Sequence, residues 1–237
     1  NRDFTHWNAN LRGVDLNHNF DAGWNELHES ERSLGFYGPG PTRYGGEMPH
    51  SEPETQSLVK FCEHNNVDHA FAIHSQGEEI YWSYGDHTPE NSLTMANIFS
   101  VCSGYELVKN DGLASHGGFK DWFIEEFARP GFTIEIGKGE NPLPVSQLDS
   151  IYKKIEEALL VFALMYFLMI RPQKKKQKEE QMMRNNLRVG DELTTIGGIT
   201  GIVNSLHEDE FILETTNDRT KICFKRWAIQ EVKKLEM

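Results

Sequence analysis

The sequence predicts an α/β fold with a mixed, largely parallel sheet and helices on both faces, followed by a hydrophobic helix and a small SH3-like β domain. Three observations predict it. Through about residue 157, short apolar strand-like runs alternate with amphipathic helical patterns, the arrangement that parallel sheets need for their crossovers. An uncharged apolar run from Ala158 to Ile170 then interrupts the pattern. Beyond it, short alternating segments are broken by turn pairs such as Gly190-Asp191, Gly197-Gly198 and Asn217-Asp218. The chain thus divides into residues 1–157, a hydrophobic helix 158–172, a charged helical linker 173–188 and a β domain 189–237.

In the first stretch, HAFAIH (His69–His74) and FTIEIG (Phe132–Gly137) read as strands. SEPETQSLVKFCEHN reads as a helix, with Ser51 as N-cap, Pro53 early, and Leu58, Val59 and Cys62 on one apolar face. Sites on such sheets gather at strand C-terminal ends. His74 ends one strand, and Glu135 lies inside another between Ile134 and Ile136. A carboxylate between two isoleucines is costly to bury unless it is paired, protonated or useful. Strand alternation alone turns it to solvent, and a lone histidine at a strand end is most simply a hydrogen-bonded edge residue. In the linker, Glu179, Glu180 and Arg184 support a polar helix through i,i+4 pairing. In the last stretch, Phe211 with Leu213 and Ile222 with Phe224 alternate with polar neighbours, as in a half-buried antiparallel sheet of four strands.

Charge separates the halves. The 237 residues carry 36 acids and 24 bases, a net charge of −12. Residues 1–165 hold 25 acids and 11 bases, hence −14, and residues 166–237 hold 11 acids and 13 bases, hence +2. Neither half has the basic face that phosphate neutralisation requires, and the Lys174–Lys178 cluster has no interleaved aromatics, so nucleic acid is excluded as a partner. Three widely spaced cysteines (Cys62, Cys102, Cys223) exclude a disulfide scaffold and read as buried thiols. The chain opens at Asn1 without a signal-peptide pattern and reads as a fragment. The run 158–170, at 1.5 Å rise, covers about 20 Å of a ~30 Å hydrocarbon core, so its length favours a buried or interfacial helix. Its flank of Arg171, Lys174, Lys175, Lys176 and Lys178 favours a membrane anchor, and periodicity leaves both readings open.

Five blocks occur in a recognisable order: NLRGVDLNHNF (Asn10–Phe20), SEPET (Ser51–Thr55), AIHSQGEEIYW (Ala72–Trp82), GGFKDW (Gly117–Trp122) and FTIEIGKGENPLP (Phe132–Pro144). Together they resemble the carboxypeptidase A-like zinc carboxypeptidases, and more narrowly the bacterial γ-D-glutamyl-diamino acid peptidases that trim peptidoglycan peptides. The resemblance implies a carboxypeptidase-like fold, a zinc cofactor and a peptide or peptidoglycan-fragment substrate. It makes His74 a zinc ligand, Glu135 the general base, and Asn17 a contact for a substrate carboxylate. Three departures stand out. The family's other two zinc ligands form an upstream His-x-x-Glu motif, and none of the sixteen residues before Asn17 supply it. His18 stands where an arginine usually follows the asparagine, which replaces a bidentate carboxylate clamp. Leu113 stands where a tyrosine usually precedes GGFKDW. The electrophilic arginine is open between Asn8 and Arg12. His69 and His74, five apart, point to opposite faces of a strand, and His64, His87 and His116 lack metal-ligand spacing.

YFLMIRPQKKKQKEEQ, GDELTTIGGITGIV and KICFKRWAIQEV, in that order from about Tyr166, resemble YajC, the auxiliary subunit of the bacterial Sec translocase. That resemblance implies Sec translocon partners, a single N-terminal membrane helix ending at Arg-Pro-Gln, and location at the bacterial cytoplasmic membrane; without insertion of the helix, the location is cytoplasmic. Three functions therefore stand open: a zinc peptidase with an incomplete ligand set, a non-enzymatic Sec accessory subunit, or an artefactual fusion of the two.

Overall fold

The structure, a computed structural model, describes residues 6–109, 116–215 and 218–234, without the side chains of Met169 and Lys174. The chain forms two compact units, Asn1–Leu164 and Met165–Met237. In the first, four strands lie in the order β1-β4-β2-β3: β1 (Ala70–His74), β2 (Glu79–Tyr81), β3 (Glu106–Val108) and β4 (Gly131–Glu135). β1 with β4 and β2 with β3 are parallel, and β2 runs antiparallel to β4. The sheet is mixed and largely parallel, as the sequence predicts.

Helices α1 (Trp24–Ser33) and α2 (Pro53–His64) precede β1, while α3 (Ser92–Ser103) lies between β2 and β3 and α4 (Phe119–Phe127) between β3 and β4. Pro53 opens α2, where its missing N–H loses no bond. The N-cap is Glu52, not Ser51; the Ser51 hydroxyl instead donates to Glu52 Oε1 at 3.0 Å and accepts from Asn19 Nδ2 at 2.9 Å. α3 stops at Gly104, whose φ of 74° only glycine adopts without strain. The core joins Phe20, Val59, Cys62, Ala70, Trp122 and Phe123, so α2, α4 and β1 bury their apolar faces together. Leu58, expected on that face, is partly exposed, because α2 presents Val59 and Cys62 inward. Of the three cysteines only Cys62 is buried, and Cys223 lies on the surface. Gly117, with a φ of 73°, lets the chain pass under Leu27: a Cβ there would lie 2.3 Å from Leu27 Cδ2. Leu113 lies outside the described residues.

The apolar run falls in α5 (Leu148–Met165) and a π-helical turn, Tyr166–Ile170, followed by α6 (Arg171–Asn185) with Pro172 in its first turn. Ala158 and Phe162 are buried in the first unit, Phe162 edge-on to both His69 and Phe71. Among the described residues, no helix is long and apolar enough to cross a membrane.

The second unit is an antiparallel sheet in the order β8-β7-β6-β5-β9, from β5 (Glu192–Thr195), β6 (Thr200–Leu206), β7 (Glu210–Thr215), β8 (Lys221–Lys225) and β9 (Ile229–Lys233). It has five strands where the sequence suggests four. KICFKRWAIQEV reads as one run but is split by a 3-10 turn at Arg226–Ala228, after which the chain pairs with β5. Leu187, Leu193, Val203, Phe211, Leu213 and Ile229 form its core. Gly201 allows β6 to approach β7, since a Cβ there would lie 2.4 Å from the Glu214 carbonyl oxygen. The polar linker helix pairs as expected, with Lys175–Glu179 at 3.8 Å and Arg184–Glu180 at 4.0 Å.

Candidate active site

β1 and β4 run in parallel register, and their last residues, His74 and Glu135, are direct partners. Both side chains line one cavity of about 980 Å³ at the C-terminal ends of these strands, with Asn17 and His18. Glu135 ends β4 and does not lie inside it; Ile134 is fully buried, and the carboxylate is half-buried over the cavity instead of turned to solvent. Its Oε2 is buried without a hydrogen-bond partner. Burial first, and then the Glu79 carboxylate across the β2–β4 ladder, push the Glu135 carboxyl up to about 7. The Tyr81 hydroxyl donates to Glu79 Oε2 at 2.8 Å, which fixes that second carboxylate. Burial also lowers the His74 imidazole, against the weaker pull of Asp15, so His74 is neutral near pH 7. A neutral imidazole and a carboxylate close to half-protonated suit ligation and proton transfer respectively.

Asn17 sits in a short 3-10 turn, Leu16–His18, whose entry residue Asp15 accepts the Asn17 N–H at 3.3 Å. Its Oδ1 accepts the Phe119 N–H at 3.1 Å, tying the turn to the start of α4. His18 Nδ1 lies 2.6 Å from Oε1 of the buried Glu31, which holds the ring where the resemblance places an arginine. Arg12 is not part of the cavity lining; it is exposed and lies 3.6 Å from Glu52 Oε2. Asn8 and Arg43 line the cavity instead, Arg43 with a φ of 66° and its N–H 2.9 Å from Asp15 Oδ2. His69 packs on Phe162, away from the His74 cavity, and His116 lines that cavity with its Nδ1 3.1 Å from the Tyr84 hydroxyl. Lys120 and Asp121 also line the cavity as a buried ion pair. Sequence reasoning passed over both, although two adjacent opposite charges between Phe119 and Trp122 were the available signal.

Residues 2–158 match the family model described as zinc carboxypeptidase. The chain belongs to the zinc carboxypeptidase family. It is 43% identical over 161 residues to "Gamma-D-glutamyl-L-diamino acid endopeptidase 1" of Lysinibacillus sphaericus, an alignment covering 68% of this chain and 38% of that protein. The chain thus spans well under half the length of that peptidase. Among solved structures, bovine thrombin-activatable fibrinolysis inhibitor in complex with tick carboxypeptidase inhibitor shares the fold, with a TM-score of 0.51 and 18% identity, over 63% of this chain and 55% of that one. Residues 158–233 match the preprotein translocase subunit family YajC. They are 50% identical over 74 residues to "Sec translocon accessory complex subunit YajC" of Halalkalibacterium halodurans, covering 31% of this chain and 83% of that protein. That stretch is a YajC-family segment, so the chain is a fusion of two families.

The zinc carboxypeptidase family implies zinc, and the residues can be tested against it. His74 offers one neutral nitrogen, and the partnerless Glu135 oxygen faces the same cavity. Catalytic zinc takes three protein ligands. Among the described residues, no group of three His, Cys, Asp or Glu side chains could hold a metal ion. The residues present do not make a complete zinc site.

Proposed function

We propose that residues 1–157 form the substrate-binding, base-bearing part of a metallopeptidase acting on γ-D-glutamyl-diamino acid peptides of the peptidoglycan type. One observation carries this reading: His74 and Glu135, register partners at two strand ends, open onto one cavity, with the Glu135 carboxyl at about 7 and one of its oxygens buried without a partner. In this reading Glu135 takes the proton of the attacking water and passes it to the leaving amine. Asn17 and His18 contact a substrate carboxylate, and His74 is one metal ligand of a set completed by two more. The Lysinibacillus sphaericus relative, named for γ-D-glutamyl-L-diamino acid cleavage, supports the substrate class.

The test compares the 237-residue chain with a form extended upstream to include a His-x-x-Glu segment. Metal analysis and release of the diamino acid from a γ-D-glutamyl-diamino acid peptide are measured on both. The shorter chain should hold less than one equivalent of zinc and release nothing, and the extended chain should do both. Glu135→Gln in the extended chain should keep the zinc and lose turnover. An extended chain that binds no zinc would reduce the peptidase reading to ancestry.

A second reading applies to the other unit. We propose that residues 158–237 act as an accessory segment of the Sec translocon at the cytoplasmic membrane, with the hydrophobic helix at 158–172, the charged linker at 173–188 and the β domain at 189–237. The 83% coverage of the YajC relative favours it. A tagged chain should sediment with membranes and co-purify with translocon subunits. A chain that stays in the soluble fraction, free of them, removes this reading and leaves the joined segment without a role.

A further inference from the structure

Glu31 stands third from the end of α1, with 3% of its side chain exposed, and it is not part of the cavity lining. Two things oppose a carboxylate there: burial strips its water, and the last turn of a helix carries the negative end of the dipole. Both of its oxygens are engaged nonetheless. Oε1 lies 2.6 Å from His18 Nδ1, and Oε2 accepts the Gly45 N–H at 3.3 Å. His28, one turn back on α1, is the alternative partner, but its Nδ1 stands 3.7 Å from Oε2 and is buried without a hydrogen bond. The His28 ring stacks instead on Trp24, with 4.7 Å between ring centres.

An ionised carboxylate only accepts, so the short contact assigns a hydrogen to His18 Nδ1 and leaves Nε2 for the cavity that the ring lines. Arginine, which the resemblance places at this position, needs no such partner, because its planar guanidinium fixes its donors. An imidazole has two tautomers, and the nitrogen that faces a ligand is set by the bond the other one makes. The buried carboxylate therefore answers a need that a histidine at position 18 creates. Its surroundings hold the contact in place. The turn carrying His18, the helix α1 and the loop at Gly45 meet around Glu31, and a Cβ on Gly45 would lie 2.4 Å from the His18 carbonyl oxygen. The Trp24 indole N–H donates to the Gly45 carbonyl oxygen at 3.2 Å, which ties that loop to the same helix.

We infer that Glu31 is a positioning residue for substrate: it holds His18 by Nδ1–H, so that Nε2 meets a substrate carboxylate beside Asn17. A ring that donates through both nitrogens is a cation. Substrate carboxylate, imidazolium and Glu31 carboxylate then stand in line with alternating charge. His18 supplies the donor and Glu31 its orientation and counter-charge, so two residues from two elements do the work of one guanidinium. This rests on the peptidase reading of the cavity, which supplies the carboxylate, and adds to it a residue that never touches substrate.

Calorimetry on the full 237-residue chain in chelator-treated buffer tests it without turnover. The probes are N-acetyl-γ-D-glutamyl-L-lysine and its C-terminal carboxamide, which differ only in that carboxylate. The free acid should bind at least about tenfold more tightly than the amide. Glu31→Gln, which keeps one acceptor for two donors, should weaken the acid about tenfold and the amide by less than about twofold. His18→Gln should do the same, and the double variant should lose no more than either single one. An acid and amide bound equally well, a Glu31→Gln loss of equal size on both, additive losses in the double variant, or no measurable binding of either peptide would each overturn the inference. Should Glu31→Gln fail to fold, the wild-type pair and the nitrogen NMR spectrum of His18 decide, since a bare Nδ1 would overturn it too. In a chain extended to bind zinc, Glu31→Gln should raise KM about tenfold and leave kcat within about twofold. An unchanged KM with turnover intact would sink this inference and keep the peptidase reading. A preference for the acid that depends on Glu31, without turnover in any form, would do the reverse.

Discussion

The two units differ in how they treat buried polar atoms. In the second, Asp191 is buried but accepts from the Arg188 N–H at 2.8 Å and lies 2.7 Å from Lys234 Nζ. The buried Thr195 accepts the Ile199 N–H at 3.0 Å. In the first, Thr55 Oγ1, Ser92 Oγ and Glu135 Oε2 are buried without a hydrogen bond, and the Lys120–Asp121 pair is set against a cavity. A buried polar atom left unbonded costs roughly 1–3 kcal/mol, and of these three residues Glu135 is the one that lines the cavity. The comparison with relatives runs the same way: the second unit covers 83% of its YajC relative, and the first covers 38% of its peptidase relative. The contrast in polar atoms is one of degree, since Arg184 Nε in the second unit is also buried without a hydrogen bond. What sets the first unit apart is that its unbonded Glu135 oxygen belongs to a residue lining a cavity.

The largest expected effect lies in the second unit. Phe211 is fully buried at the centre of its core, stacked on Phe224 at 5.7 Å between ring centres. Phe211→Ala should cost about 3–5 kcal/mol, read as lost hydrogen-exchange protection across β5 to β9. A loss under about 1 kcal/mol would show that this small core is not what holds the sheet. In the first unit, Lys120→Met alone should cost about 3 kcal/mol, because it leaves Asp121 charged and buried. The double change Lys120→Met/Asp121→Leu should recover most of that in urea melts. If the single change is as mild as the double, the pair is not under the strain the comparison assigns to it.

These contrasts mark where sequence reading reached and where it stopped. His74 and Glu135 stood out as a histidine ending one apolar strand and a carboxylate between two isoleucines. Strand alternation alone turned Glu135 to solvent, however, and only the ordered blocks that resemble the zinc carboxypeptidases gave the two a common role. Arg43 did not stand out, because it reaches the cavity through a loop with a φ of 66°, and loop paths leave no periodic trace. Glu79 was hidden for another reason: only the antiparallel register of β2 and β4 sets it opposite Glu135. β9 was lost inside KICFKRWAIQEV because a three-residue turn carries no glycine or proline to mark it. The apolar run at 158–170 was read as two alternatives, and the structure buries Ala158 and Phe162 while leaving Leu160 and Leu164 exposed.

Glu135 should weaken the unit it serves. Its folded carboxyl sits at about 7, above the ordinary value of 4.5. Ionising it in the folded state is therefore unfavourable, and stability falls as pH rises from about 4.5 to about 7. The shift corresponds to about 3 kcal/mol before screening, and on the order of 1–2 kcal/mol for a half-buried group in contact with solvent. In metal-free buffer Glu135→Gln should raise stability by that amount at pH 8 and by almost nothing at pH 4. An equal gain at both pH values would mean that packing, and not charge, sets the effect.

The smallest effect separates two ion pairs of similar geometry. In the first unit Glu78 bridges Lys154 at 2.6 Å and Lys138 at 3.3 Å, and these bonds, Lys154 first, hold its carboxyl below the usual range. In the second, Lys225 lies 2.8 Å from Glu210, fully at the surface, and likewise lowers its carboxyl. For an acid with a lowered folded value, the stabilisation is present above the unfolded pKa and disappears as pH falls through the folded one. Glu78→Gln should therefore cost up to about 1 kcal/mol at pH 7, most of it gone by about pH 3. Glu210→Gln should show no measurable change in 0.15 M salt, where ions screen exposed pairs over about 8 Å. Thermal melts of both variants at high and low salt give the comparison directly. A salt-sensitive loss at Glu78 equal to that at Glu210 would show that the Glu78 pair gains nothing from its partial burial against Tyr105, whose ring lies 5.3 Å from Lys154 Nζ.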